Sequence, residues 1–218
     1  MITEVLSGFF FWFIIVTNIA SGRFAYETFS DLDADAKLKK INSAPRKFKI
    51  GTALILIEHI GIICLAVTLF LAFNPYNLML AVVWFISRTG EALIQIYNKK
   101  SYWGLLKMAK KHSVSSGAEK TAIVDSGRGI LETKNTVFTF AQVLFSIGTL
   151  AYSILFAISG VVPDVIGLFG IVSSIIYGFG SGIKLVKPNF KALWNLGGLL
   201  IFIFELVLGG WLLFSTFI

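Results

Sequence analysis

The sequence predicts an all-α, polytopic integral membrane protein with six transmembrane helices and both termini outside. Three observations predict it. Of the 218 residues, 56% are hydrophobic and only 14% charged, where soluble domains carry about 25% charged residues; the mean hydropathy is +0.81. Six apolar windows approach or exceed the roughly 20 residues that a helix needs to cross a hydrocarbon layer of about 30 Å. Eighteen of the nineteen Lys and Arg fall in, or within three residues of, three connections that would share one side of a membrane, and such a bias places basic connections in the cytoplasm. Backbone groups in lipid are satisfied only in helices or closed barrels, and continuous apolar runs are helical.

The windows are 5–22, 48–73, 78–97, 136–159, 162–186 and 190–218, within one domain that covers 1–218. The first is preceded by Glu4 and by no basic residue, so it reads as a retained helix rather than a signal peptide. Asn74-Pro75-Tyr76-Asn77 and Gly160 to Asp164 are turn chemistry, so spans two and three, and spans four and five, are expected to pack as hairpins. Residues 23–47 and 98–134 read as basic cytoplasmic loops with short interfacial helices. In the first, a helix starts near Asp33 and turns Ala34, Leu38 and Ile41 to one face. In the second, Tyr102, Leu105, Leu106 and Ala109 share a face away from Lys100, Lys107 and Lys111. With Tyr102 and Trp103 suited to the headgroup layer, this predicts a basic helix lying in the interface; the competing reading is a plain extension of span three. The stretch 114–134 is polar and Gly-punctuated, and reads as a mobile loop. Span five repeats Gly170, Ser174, Gly178 and Gly182 at every fourth residue, a smooth strip for helix packing.

Polar groups inside the spans are the candidate site, because ionisable residues in a bilayer are costly. Arg88 and Glu91, three residues apart, lie on one face of span three, and Gln95 continues it. At about 1.5 Å per residue, Glu58 on span two reaches a similar depth to Glu91 and could complete an Arg-centred triad, with His59 beside it in sequence. Gln142 and Tyr177 fall near the same level. The candidate binding set is therefore Arg88, Glu91, Glu58, His59, Gln95, Gln142 and Tyr177. A purely structural lock is the competing reading of the same charges. Glu205 is isolated in sequence and has no expected role.

Other function classes fit poorly. The net charge of +7 is concentrated in the cytoplasmic connections, so it marks topology and attraction to anionic lipid headgroups rather than nucleic acid. One cysteine, Cys64, and two histidines, His59 and His112, do not supply a Cys-rich or three-histidine metal site. No cofactor and no catalytic residue is expected. The chain has no GxSxG elbow, and Ser87 has no well-placed base. The leading expectation is a multi-pass plasma-membrane protein that binds or transports a small molecule, a lipid or a proton at the Arg/Glu layer. The alternatives are a structural or accessory subunit, with a homo-oligomer or membrane partner on the small-residue strip, and an intramembrane lipid-modifying enzyme using Glu58 and His59.

Three stretches carry a family resemblance. They are Ala34-Asp35-Ala36 through Phe48-Lys49-Ile50-Gly51, Arg88-Thr89-Gly90-Glu91-Ala92, and Ser159-Gly160-Val161-Val162-Pro163-Asp164-Val165-Ile166-Gly167. Together they resemble the bacterial membrane family called domain of unknown function 4386. The chain departs from that pattern at Lys49, where Arg is usual, and at Asp164 and Ile166. The resemblance implies a compact multi-helix membrane protein without an established activity. It singles out Arg88 and Glu91 again, and no motif carries Glu58 over.

Overall fold

A computed structural model describes residues 2–214. Among the described residues there are seven α-helices and no strand: α1 (Ile2–Arg23), α2 (Ala34–Ser43), α3 (Pro45–Phe73), α4 (Leu78–Val114), α5 (Gly117–Ser159), α6 (Asp164–Val186) and α7 (Ala192–Phe214). All but α2 are long and apolar enough to cross a membrane. The last four residues of the expected sixth span lie outside the described residues.

Local chemistry explains the ends. Asp33 caps α2, its carboxylate accepting from the Ala36 N–H at 3.0 Å. Asn77 accepts from the Leu80 N–H at 3.1 Å and opens α4. Gly160 takes φ +68 just past α5, and Pro163 precedes α6, the expected stop-and-start pattern. At the end of α1, Ala25 N–H bonds to Gly22 O and Tyr26 N–H to Ser21 O, with Ala25 at φ +66. This is a Schellman closure with alanine where glycine is preferred. Left-handed backbone costs a non-glycine residue roughly 1–2 kcal/mol. Ala25→Gly is therefore expected to raise stability by up to about 1 kcal/mol, visible as a higher apparent Tm in detergent.

In the region 98–134 the favoured reading, a loop with a separate interfacial helix, gives way to the competing one, a plain extension of span three, and the stretch expected as a mobile loop is helical from Gly117 on. Helix α4 runs unbroken to Val114, and α5 begins at Gly117, so the break is confined to Ser115 and Ser116, with Gly117 at φ +55. The expected face is present, but Tyr102, Leu105 and Ala109 are buried inside protein. Lysine and glutamate lower hydropathy without lowering helix propensity, and Gly127 and Gly129 each cost only about 1 kcal/mol. Burial of Leu131 and packing of Gly127 on Ala34 and Leu38 offset that cost.

The chain divides into two compact units, with α1, α3, α4 and α5 contributing to both. The first comprises Met1–Ile15, His59–Leu93 and Thr139–Ile218. Its core is aromatic: Trp84 meets Tyr152 edge to face at 4.4 Å, and Tyr152 meets Phe156 at 5.4 Å and Phe204 at 5.9 Å. Such pairs add about 0.5–1.5 kcal/mol each beyond burial. Trp84 Nε1 donates to Ala66 O at 3.3 Å, joining α3 to α4. Helices α6 and α7 approach closely through Gly180 and Gly197, where a Cβ would stand 2.6 Å from Trp194 N and 2.5 Å from the Tyr177 Cα.

The second unit comprises Val16–Glu58 and Ile94–Phe138 and holds fifteen of the nineteen basic residues. Its core joins Ala34, Leu38 and Ile41 of α2 to Tyr26, Phe48, Tyr102, Leu105 and Leu131.

Candidate functional site

In the first unit, Arg88 and Glu91 occupy one face of α4, three residues apart. Arg88 Nη1 donates to Glu91 Oε2 at 2.5 Å, and the two residues are 1% and 2% exposed. The guanidinium carbon lies 5.3 Å from the Trp84 ring centroid and 4.4 Å from that of Phe145. Trp84 is four residues before Arg88, so helical spacing brings it onto the same face. Gly148 leaves room for the arginine stem, since a Cβ there would stand 3.2 Å from Arg88 Cγ. A planar cation between two aromatic faces gains from both ring quadrupoles in apolar surroundings. Arg88 Nε is buried without a hydrogen-bond partner among the described residues.

The polar layer continues through Phe145, whose ring stands 5.8 Å from that of Tyr177. The Tyr177 hydroxyl donates to Gln142 Oε1 at 2.9 Å. Glu205 on α7 is half-buried and coupled electrostatically to both Arg88 and Glu91. Of the expected set, Arg88, Glu91, Gln142 and Tyr177 thus come together in this unit. His59 is buried in it too. Glu58 and Gln95 belong to the second unit, where the Asn18 amide donates to both Glu58 oxygens at 3.1 and 3.2 Å. The second carboxylate coupled to Arg88 within its own unit is Glu205, which sequence reasoning left without a role. Its partners lie more than a hundred residues away, so no local spacing announces it.

Within the chain itself the strip on α6 is only partly covered. A Cβ on Gly170 would collide with Ser153 and Phe204, one on Gly178 would press against Ser146, and one on Gly182 would meet nothing within 4 Å.

The second unit contains a feature that sequence reasoning missed. Lys134, 1% exposed, donates to Glu27 O at 2.7 Å and Thr28 O at 2.8 Å. Its Nζ stands 5.2 Å from the Tyr26 ring and 5.5 Å from the Tyr102 ring. Asn135 pairs with both backbone groups of Ser30 at 2.9 and 2.8 Å. Lys37 bonds to the Glu27 carboxylate at 2.9 Å, and His112 Nε2 stands 2.7 Å from Asp35 Oδ1. These contacts tie the segment between α1 and α2 to α5, and α2 to the end of α4.

Charge explains the clamp's pH response. Burial pushes the Glu27 carboxyl up, but the ammonium groups of Lys37 and Lys40 outweigh it and hold the pKa below its ordinary value. Burial pushes the Lys37 amine down, with Glu27 partly restoring it. A carboxyl with a depressed folded-state pKa contributes stability that is present above its unfolded value, about 4.3, and is lost as pH falls through the folded value. Protection factors of the amides of residues 24–33, exchange rates corrected for intrinsic pH dependence, are therefore expected to be high at neutral pH and to fall below about pH 4. In Glu27→Gln the low protection is expected already at pH 7.

The family described as Domain of unknown function (DUF4386) matches residues 6–215. No curated protein matches the chain, and no solved structure does.

Proposed function

From the premise that the chain belongs to the DUF4386 family, we propose that this multi-pass membrane protein binds and passes a proton at the Arg88/Glu91/Glu205 layer. The observation that carries the reading is the charge balance. Arg88 and Glu91 pair out of contact with water, and Glu205, half-buried, lies within electrostatic reach of both. Their formal charges sum to one negative, and uncompensated charge in a bilayer is costly. A proton supplies the balance without needing a cavity. That matters because Arg88 is sealed between Trp84 and Phe145, which disfavours a bulky solute at the guanidinium. Glu205, half-buried on α7, is the exchangeable member, and Glu91 is the fixed counter-ion.

The test is proton flux into proteoliposomes carrying an internal pH dye, driven by a potassium diffusion potential. Glu205→Gln is expected to lower the protein-dependent flux at least tenfold while leaving the apparent Tm within a few degrees. Equal flux in the wild type and Glu205→Gln would contradict the proposal. The aromatic sandwich around Arg88 favours a second reading, a structural lock, and the double variant described in the Discussion separates the two. The proposal places the protein in the plasma membrane with its lysine-rich segments in the cytoplasm and both termini outside. Labelling of cysteines introduced at Lys120 and Thr3 by a membrane-impermeant reagent on intact cells is expected to modify only the second.

A further inference from the structure

A second site lies in the first unit, on the flank where α5 and α6 diverge. Near the start of α6 the two helices touch: a Cβ on Gly167 would meet the Ala157 backbone at 2.8 Å. Further along, a Cβ on Gly178 would meet Ser146 at 3.1 Å, and one on Gly182 would meet nothing within 4 Å. The opening is a groove of about 740 Å³, walled by residues such as Ile147 and Phe179 and ending at Lys187 and Phe190. Its two floor hydroxyls are already engaged, Ser146 donating to Gln142 O and Ser174 to Gly170 O. The lining therefore offers an occupant apolar contact along its length and one cation at its end.

Dimensions choose the occupant. Along α6 the lining runs from Ser174 to Val186, about 18 Å at 1.5 Å per residue. That is close to one leaflet of a hydrocarbon layer about 30 Å thick. Apolar walls that end at a single cation suit a hydrocarbon chain carrying an acidic headgroup better than an uncharged helix face from a second copy. The charge is at the right end: Lys187 borders the groove, with Lys184 and Lys191 close by in the chain. Lys184 sits over the Trp194 ring at 3.2 Å, which leaves Lys187 as the lining cation.

We propose that this groove binds one acyl chain of an anionic phospholipid, with the lipid phosphate held at Lys187. The site is separate from the Arg88 layer, and its test is independent of proton flux. Native mass spectrometry of the protein released from nanodiscs of mixed phosphatidylglycerol and phosphatidylcholine reads it directly. The wild type is expected to retain phosphatidylglycerol about fivefold over phosphatidylcholine, as one basic residue near an anionic headgroup contributes roughly 1 kcal/mol. Lys187→Gln is expected to abolish that preference while lipid is still retained. Gly182→Leu, which points into open space and so leaves the fold intact, is expected to cut retention of both lipids about tenfold by filling the groove. Gly210→Leu, also facing open space on α7, is expected to behave as the wild type. Wild-type retention in Gly182→Leu would overturn the proposal. So would a headgroup preference unchanged in Lys187→Gln, or a protein dimer that Gly182→Leu dissociates.

Discussion

Arg88→Met is expected to lower the unfolding free energy by about 3–5 kcal/mol, the usual loss when one partner of a buried ion pair is removed. The substitution keeps an apolar stem against Trp84 and Phe145 but leaves the Glu91 carboxylate without the guanidinium that now bonds it at 2.5 Å. Glu91→Leu is expected to cost a similar amount by leaving the cation alone. The double variant Arg88→Met/Glu91→Leu is expected to recover most of the loss, because an apolar pair of similar volume replaces a buried ion pair at little cost. Arg88→Lys is expected to fall between these, since an ammonium cannot stack as a planar guanidinium does. Unfolding in mixed micelles, read as a double-mutant cycle, measures all four. The same double variant decides function. Native stability with lost proton flux supports the proton-binding layer; native stability with native flux reduces Arg88 and Glu91 to a lock.

Lys134→Ala is expected to cost roughly 3–5 kcal/mol, measured by the same unfolding assay. Two hydrogen bonds to the carbonyls of Glu27 and Thr28 disappear, and each sheltered acceptor left without its donor costs about 1–3 kcal/mol. The amine above the Tyr26 and Tyr102 rings goes with them. Lys134→Met retains the stem and its packing, so it is expected to recover a minor part of the loss. The local signature is specific: hydrogen exchange over residues 24–33 rises in Lys134→Ala, while the helix interiors of the first unit stay protected.

What the sequence makes legible is what depends on local periodicity. Apolar length marks six helices, Asn77 and Pro163 mark starts, and Gly160 marks a stop. The face of α2 through Ala34, Leu38 and Ile41 follows from spacing and is buried as expected. The Arg88–Glu91 pair follows from three-residue separation on one helix. Even Trp84 was within reach, four residues from Arg88. Phe145 was not, because it comes from α5. The polar stretch 114–134 reads as a loop on hydropathy, yet Lys, Glu and Ala are good helix formers whether or not a membrane surrounds them, and it is helix from Gly117 on. Lys134 was hidden for another reason. In sequence it is one more charge in a polar run, and only its backbone partners, 106 and 107 residues away, turn it into a clamp. The strip on α6 shows what a regular small-residue pattern leaves open: spacing alone does not say that Gly170 packs closely within the chain while Gly182 borders a groove.

The most direct test of the central claim is solid-state NMR of the protein in lipid bilayers. Nitrogen-labelled arginine and carboxyl-labelled glutamate report the Arg88–Glu91 contact by dipolar recoupling, with Arg88→Met assigning the signal. The account predicts a guanidinium in direct contact with a carboxyl group and protected from deuterium exchange. A guanidinium with no carboxyl neighbour, exchanging as fast as an arginine in bulk water, would contradict it.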